Sequence, residues 1–193
     1  MPDKAVSLKA IVVAGWSAVF AGWLIGLWRD RAPVKEAVAN RWRCRLYGIT
    51  AATILLSTAL DWGKPHSRPP RGLSLPLLPI FFGGVSLYYW ARLSLGRNWS
   101  SEARIAQGHT FVTDGAYSLV RHPIYLSKVL MALSSGLMLG NRLVLGLGLG
   151  LAAVAVYQSR IEEQMLRTHF PQRYAGYARR TGMLLPKPGW LRL

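Results

Sequence analysis

Five apolar runs constrain this chain more than anything else in it: Ala5 to Trp28, Leu46 to Trp62, Leu73 to Leu95, Ile124 to Gly140 and Leu143 to Tyr157. Each is about long enough to cross, or nearly cross, the ~30 Å hydrocarbon core of a bilayer as a helix. Within hydrocarbon every backbone N–H and C=O must find its partner inside the protein, and a helix meets that demand within one segment. The chain therefore reads as an all-α integral membrane protein with about five transmembrane helices. Residues 1–95 are expected to hold three N-terminal spans. Residues 96–193 are expected to hold two more, followed by cytoplasmic C-terminal helices. A soluble domain is the weaker reading, because 51% of the residues are hydrophobic and eight are Trp.

The charge supports the same organisation. Twenty-four Lys and Arg face eight Asp and Glu, a net charge of +16. A nucleic-acid reader would gather such charge on one solvated face, whereas here it lies between apolar runs, so no nucleic-acid partner is expected. With the N-terminus outside, loops 29–45 and 92–122 and the tail from Arg160 carry 17 Lys and Arg against 6 on the opposite side. The positive-inside rule places those loops and the C-terminus in the cytoplasm, where anionic lipid attracts them. The start of the chain runs straight into its first span without a cleavage site and reads as a retained helix. Cys44 is the single cysteine, which excludes an intrachain disulfide and a metal site built from thiolates alone. No metal is expected.

Loop 29–45 alternates charge with small apolar residues after Pro33 and predicts a short helix on the membrane surface. The Pro- and Gly-rich stretch from Asp61 to Gly72 predicts an irregular connector, with His66 solvated. Leu139-Gly140-Asn141-Arg142 allows only a tight reversal, so the last two spans should form an antiparallel hairpin. Gly136 and Gly140 are four apart, as are Gly146 and Gly150, a spacing that lets helices approach closely in lipid. A nucleotide-binding loop at Gly146, Gly148 and Gly150 is excluded, because no strand precedes them. The fifth span should continue past Tyr157 to His169. A short helix around Gln172 to Arg180 should then carry Tyr174 and Tyr177 on one side, with Leu184, Leu185 and Trp190 docking on the membrane.

Chemistry concentrates between His109 and Tyr125, where two His, two Tyr, an Arg and a Pro precede an apolar run. Such a cluster beside a bilayer suggests a ligand site, although Arg and Tyr also serve simply to anchor helix ends. Pro123 suits the first turn of a helix. The free N–H groups of that turn, with Arg121 and His122 beside them, favour a polar or anionic ligand. Arg160 and Glu163 lie three apart and share a helix face, where they could pair with each other or, with Glu162, serve a ligand carrying both charges.

His109-Thr110-Phe111-Val112, Gly115-x-Tyr117, Arg121-His122-Pro123-x-Tyr125 and Arg160-x-Glu162-Glu163, followed by Phe170, Tyr174 and Tyr177, resemble the isoprenylcysteine carboxyl methyltransferase family. Phospholipid N-methyltransferases are similar in outline. The resemblance covers about residues 95–186. It implies that S-adenosylmethionine binds at the cytoplasmic ends of the last two spans and the C-terminal helix, rather than in a Rossmann domain. By position in the motifs, Glu102, His109, Thr110, Phe111, Val112, Tyr117, His122, Pro123, Ile124, Tyr125 and Glu163 would contact the cofactor. Arg160 would face the acceptor, and Arg121 would orient either one. Ile161 shortens the acidic run relative to members with a prenylcysteine substrate, and Lys128, one turn into its span, is expected to snorkel to the interface.

The implied reaction is direct displacement, in which a carboxylate, amine or thiol of a lipophilic or small acceptor attacks the sulfonium methyl. A carboxylate acceptor needs an Arg to align it. An amine needs a base, for which Glu162 or His122 are the local groups. Two rivals remain: a membrane reductase using NADPH, similar to the sterol reductases, and a non-enzymatic membrane subunit. Oligomeric state is not legible.

Overall fold

The computed structural model describes residues 2–29, 34–37, 52–58, 74–96, 104–106 and 111–188. These form helix α1 (Pro2–Arg29), strand β1 (Val34–Ala37), a helical segment α2 (52–58), helix α3 (Ser74–Leu95), strand β2 (Arg104–Ala106), and helices α4 (Ala116–Leu119), α5 (Pro123–Leu139), α6 (Arg142–His169) and α7 (Pro171–Arg180). Three of them contain stretches long and apolar enough to cross a membrane: Leu8–Gly26, Ser74–Leu95 and Arg142–His169. The fourth expected span, α5, is a 17-residue apolar helix. At 1.5 Å per residue it reaches about 25 Å, a little short of a full hydrocarbon core. Of the second expected span only 52–58 is described, and it is helical.

One expectation fails in loop 29–45. Val34–Ala37 is a strand, paired antiparallel with Arg104–Ala106 in the register Val34 to Ala106, Glu36 to Ile105 and Ala37 to Arg104, with an irregularity between Val34 and Glu36. The partner lies about seventy residues away in sequence, so helical spacing of local charges carried no information about it. Among the described residues, this two-stranded ribbon departs from an all-helical description. Cys44, His66 and Trp190 lie outside the described residues, and Leu185 is exposed.

Helix α5 sits at the centre, packed against α3, α6 and α1. Its core partners include Val12, Trp16, Phe81, Tyr88, Val144 and Leu151, all buried. Where apolar surface meets lipid tails it gains nothing from leaving water, so close packing and buried hydrogen bonds hold such a bundle together. Trp16 Nε1 donates to Ser135 Oγ at 3.2 Å, and Tyr89 Oη donates to the Ala18 carbonyl at 2.7 Å, tying α1 to α5 and α3.

The reversal between α5 and α6 is as tight as the sequence demands. Gly140 takes the left-handed conformation (φ 61°, ψ 25°), which favours glycine at a helix end. The Asn141 N–H bonds to the Gly136 carbonyl at 3.0 Å and the Gly140 N–H to Leu137 at 3.3 Å, satisfying carbonyls the helix would leave unpaired. Asn141 Oδ1 then accepts from the Val144 N–H at 3.0 Å and caps α6. Glycine contacts only partly follow the predicted spacing. A Cβ on Gly136 would lie 2.6 Å from the Leu145 backbone, and Gly148 packs on Ala132 and Leu133, whereas Gly146 and Gly150 face open space. Spacing of small residues identifies a pair of faces, but not which face turns inward.

Candidate active site at the α5–α6 mouth

The hairpin brings the N-terminal end of α5 beside α6 two turns beyond its apolar run. Pro123 occupies the first turn of α5 and is fully buried, with its fixed φ matched to the helix and no N–H to lose. His122 precedes it in a non-helical conformation (φ −127°, ψ 63°) and makes no side-chain cap. Its imidazole turns to α6 instead.

Five side chains meet there, with Arg167 beside them. Arg121 Nε donates to Glu163 Oε1 at 2.8 Å and Nη2 approaches the same oxygen at 2.6 Å. His122 Nδ1 stands 3.4 Å from Glu162 Oε2, and Nε2 stands 3.4 Å from Glu163 Oε1, the latter in ion-pair range without the geometry of a hydrogen bond. Tyr125 Oη donates to Glu162 Oε1, and its ring stacks on His122 with centroids 5.7 Å apart. Arg167, one turn on, reaches Glu163 Oε2 at 3.4 Å. Although His122, Glu162 and Glu163 converge, they do not form a metal-holding group, nor does any other set among the described residues.

The electrostatics follow from burial and charge. Burial lowers the His122 pKa, but the carboxylates of Glu162 and Glu163 outweigh it and hold the pKa above the ordinary 6.5. The Tyr117 hydroxyl is pushed well above 10.0, by burial first and by Glu162 second. The Tyr174 and Tyr177 hydroxyls also rise, chiefly through burial, with Glu163 raising both. The two glutamates differ in access: the Glu163 side chain is 7% exposed and wholly engaged, whereas that of Glu162 is 28% exposed.

A second layer locks this cluster to α7. Arg121 Nη1 donates to the carbonyls of Ala178, at 3.3 Å, and of Thr181. The Arg121 N–H bonds to the Gly182 carbonyl at 2.8 Å and the His122 N–H to Met183 at 3.1 Å, beside a parallel bridge between Val120 and Gly182. Tyr177 Oη donates to the Tyr117 carbonyl at 2.6 Å. Phe111 sits among Phe170, Tyr174 and Tyr177, with centroids 5.4, 6.1 and 5.4 Å away. The strongly amphipathic α7 thus buries Tyr174 and Tyr177 as the sequence predicts, and exposes Arg173, Arg179 and Arg180.

The structure gathers some of the predicted residues and disperses others. Arg121, His122, Tyr125 and Glu163 meet directly, and Tyr117 lies close enough to Glu162 to feel its charge. Phe111 is buried in the aromatic wedge, Ile124 faces the bundle core, and Val112 is half-buried. Arg160 is exposed, and Glu163 is engaged by Arg121 and Arg167 instead of by it. Glu102, His109 and Thr110 lie outside the described residues. Sequence reasoning gave no role to Arg167 or to the Thr181–Met183 strap. Gln158 and Ser159 went unremarked too, although both are polar residues directly after an apolar run.

Residues 77–167 match the sequence model of the Isoprenylcysteine carboxyl methyltransferase (ICMT) family. The Cobalt-zinc-cadmium resistance protein CzcN of Cupriavidus metallidurans is 36% identical over 126 residues, which is 63% of this chain and 55% of CzcN. The Protein-S-isoprenylcysteine O-methyltransferase of Xenopus laevis is 32% identical over 114 residues, 57% of this chain and 39% of that enzyme. Among solved structures, the eukaryotic intramembrane Ras methyltransferase ICMT superposes with a TM-score of 0.58 at 25% identity, covering 77% of this chain and 54% of that one. The chain spans about half the length of these relatives or less.

Proposed function

The chain belongs to the isoprenylcysteine carboxyl methyltransferase family, and from that premise we propose that it is an S-adenosylmethionine-dependent methyltransferase acting on a lipophilic or small acceptor with a carboxylate, amine or thiol. The observation that carries this reading is the convergence of Arg121, His122, Tyr125, Glu162 and Glu163 at the mouth of the hairpin. The side chains present fit such a cofactor. His122 Nε2 and Tyr174 Oη are buried without a well-formed hydrogen bond, and Glu162 offers a partly open carboxylate to a cationic group. Buried polar atoms left this way cost free energy unless a ligand completes them. His122 to Tyr125, Tyr117, Val112, Glu162 and Glu163 would hold the cofactor, with Glu102, His109, Thr110 and Phe111 completing its enclosure.

When bound, the cofactor supplies an electrophilic methyl group. The chain's own contribution is placement. Arg121 holds Glu163 and the strap after α7 in one geometry, so that His122 and Glu162 face the ligand from fixed positions. Arg160, exposed on α6, remains available to the polar head of an acceptor. Methyl transfer to a carboxylate needs no base, and bringing donor and acceptor into line contributes several kcal/mol. The basic loops and tail support a cytoplasmic site in a multi-pass protein with its N-terminus outside. Such a site admits an apolar acceptor sideways from the bilayer.

Methyl transfer from labelled S-adenosylmethionine into membrane extract tests the proposal, with the parent compared to Glu163→Ala and Arg121→Ala. Transfer by the parent that falls at least a hundredfold in both variants is expected. Undiminished transfer in both removes the site.

A further inference from the structure

One turn deeper than the glutamates, toward the apolar run, α6 carries two polar residues that nothing so far uses. Gln158 is 4% exposed and Ser159 is fully buried. Neither Gln158 Nε2 nor Ser159 Oγ has a hydrogen-bond partner. For Ser159 this is unusual, because a helical serine commonly donates to a carbonyl one turn back, as Ser134 and Ser135 do in α5 at 2.6 Å. Their places on the helix are equally specific. Gln158 is four residues before Glu162, and Ser159 four before Glu163, so each lies on the same face as its glutamate. Helical side chains lean toward the N-terminus, which brings each carboxylate back over the turn that holds its polar neighbour.

The alternative is that both residues merely join helices. A polar side chain that joins helices in lipid does so through a hydrogen bond across the interface, as Trp16 and Ser135 do. Gln158 Nε2 and Ser159 Oγ make none, and both can donate. A cationic donor could engage Ser159 Oγ but never Gln158 Nε2, which only donates; an oxygen acceptor would satisfy both.

We propose that Gln158 and Ser159 form a ligand-binding step beneath Glu162 and Glu163, holding an oxygen of the bound ligand at the level where the apolar run begins. This rests on the methyl-transfer reading of the site and deepens it: the ligand extends past the charged mouth into the hairpin and presents an oxygen acceptor there. That oxygen belongs either to the methyl donor or to the methyl acceptor. Gln158 and Ser159 are binding residues in this account, and Glu162 and Glu163 keep their roles without them.

The test uses Gln158→Leu and Ser159→Ala in the full chain, with steady-state transfer from labelled S-adenosylmethionine to membrane extract and thermal unfolding in detergent. Both variants should unfold at or above the parent temperature, since each removes an unpaired polar atom. Gln158→Leu should raise KM for one of the two substrates about tenfold, the loss expected for one buried hydrogen bond. A rise for S-adenosylmethionine assigns the oxygen to the donor, and a rise for the extract assigns it to the acceptor. Unchanged KM values in both variants of an active protein overturn this inference alone. A parent that neither transfers methyl nor binds S-adenosylmethionine overturns the reading on which it rests as well.

Discussion

Replacing Glu163 by Gln keeps the shape of the side chain and removes its charge, leaving the Arg121 guanidinium facing a neutral amide. The two side chains are 11% and 7% exposed, so solvent screens them little. Breaking one partner of a buried ion pair costs about 3–5 kcal/mol. Arg121 keeps its bonds to the carbonyls of Ala178 and Thr181, so the lower end, about 3 kcal/mol, applies. Arg121→Met should cost about as much, because it releases the strap after α7 while Glu163 keeps Arg167 and His122 beside it. Since both substitutions break the same contact, the double variant should lose about 4 kcal/mol rather than about 6, a coupling within the range seen for residues in contact. Reversible unfolding in detergent micelles measures all four proteins. Trypsin should also cut the single variants faster than the parent at Arg173, Arg179 and Arg180, which are exposed on α7. Additivity to within about 0.5 kcal/mol would refute the reasoning, because it would mean that the pair does not hold α7 in place.

Three further outcomes follow from the same geometry. Gly136→Ala should destabilise by roughly 2 kcal/mol, since the added Cβ meets the Leu145 backbone at 2.6 Å, whereas Gly146→Ala should be silent in the same unfolding assay. Tyr177→Phe should cost about 1 kcal/mol through its bond to the Tyr117 carbonyl, read as a lower unfolding midpoint with unchanged helical content. His122 has a folded pKa above 6.5, so the stabilisation from its protonated form is fully present below the unfolded value and is lost as pH rises through the folded one. His122→Asn should flatten the pH dependence of the unfolding midpoint above pH 6.5, and a profile identical to the parent's would contradict that account.

The parts of the fold written in local chemistry were legible in the sequence. Gly140 and Asn141 specify the reversal, Pro123 marks the start of α5, and the spacing of Tyr174 and Tyr177 gives the buried side of α7. What depends on distant partners was not. The pairing of Val34–Ala37 with Arg104–Ala106 joins two segments that no periodicity connects. In a helix apolar all round, the pattern shows no inward face, so Gly148 could not be separated from Gly146 and Gly150. The candidate site divides along the same line. The motif residues announced themselves by type, and Arg121, His122 and Glu163 do meet. Spacing alone paired Glu163 with Arg160, three residues away, whereas the fold supplies Arg121 from 42 residues away. Gln158 and Ser159 passed unnoticed because a polar residue at the end of a span looks like an interface residue until its burial is known.

One methyl-donor site is proposed between the start of α5 and the end of α6. Photo-crosslinking of labelled S-adenosylmethionine to the 193-residue chain in membranes, followed by peptide mapping, tests this. Label is expected within residues 111–125 or 158–183, displaced by excess unlabelled donor and lost in Glu163→Ala. Displaceable label confined to residues 1–95, or no displaceable label at all, would contradict it.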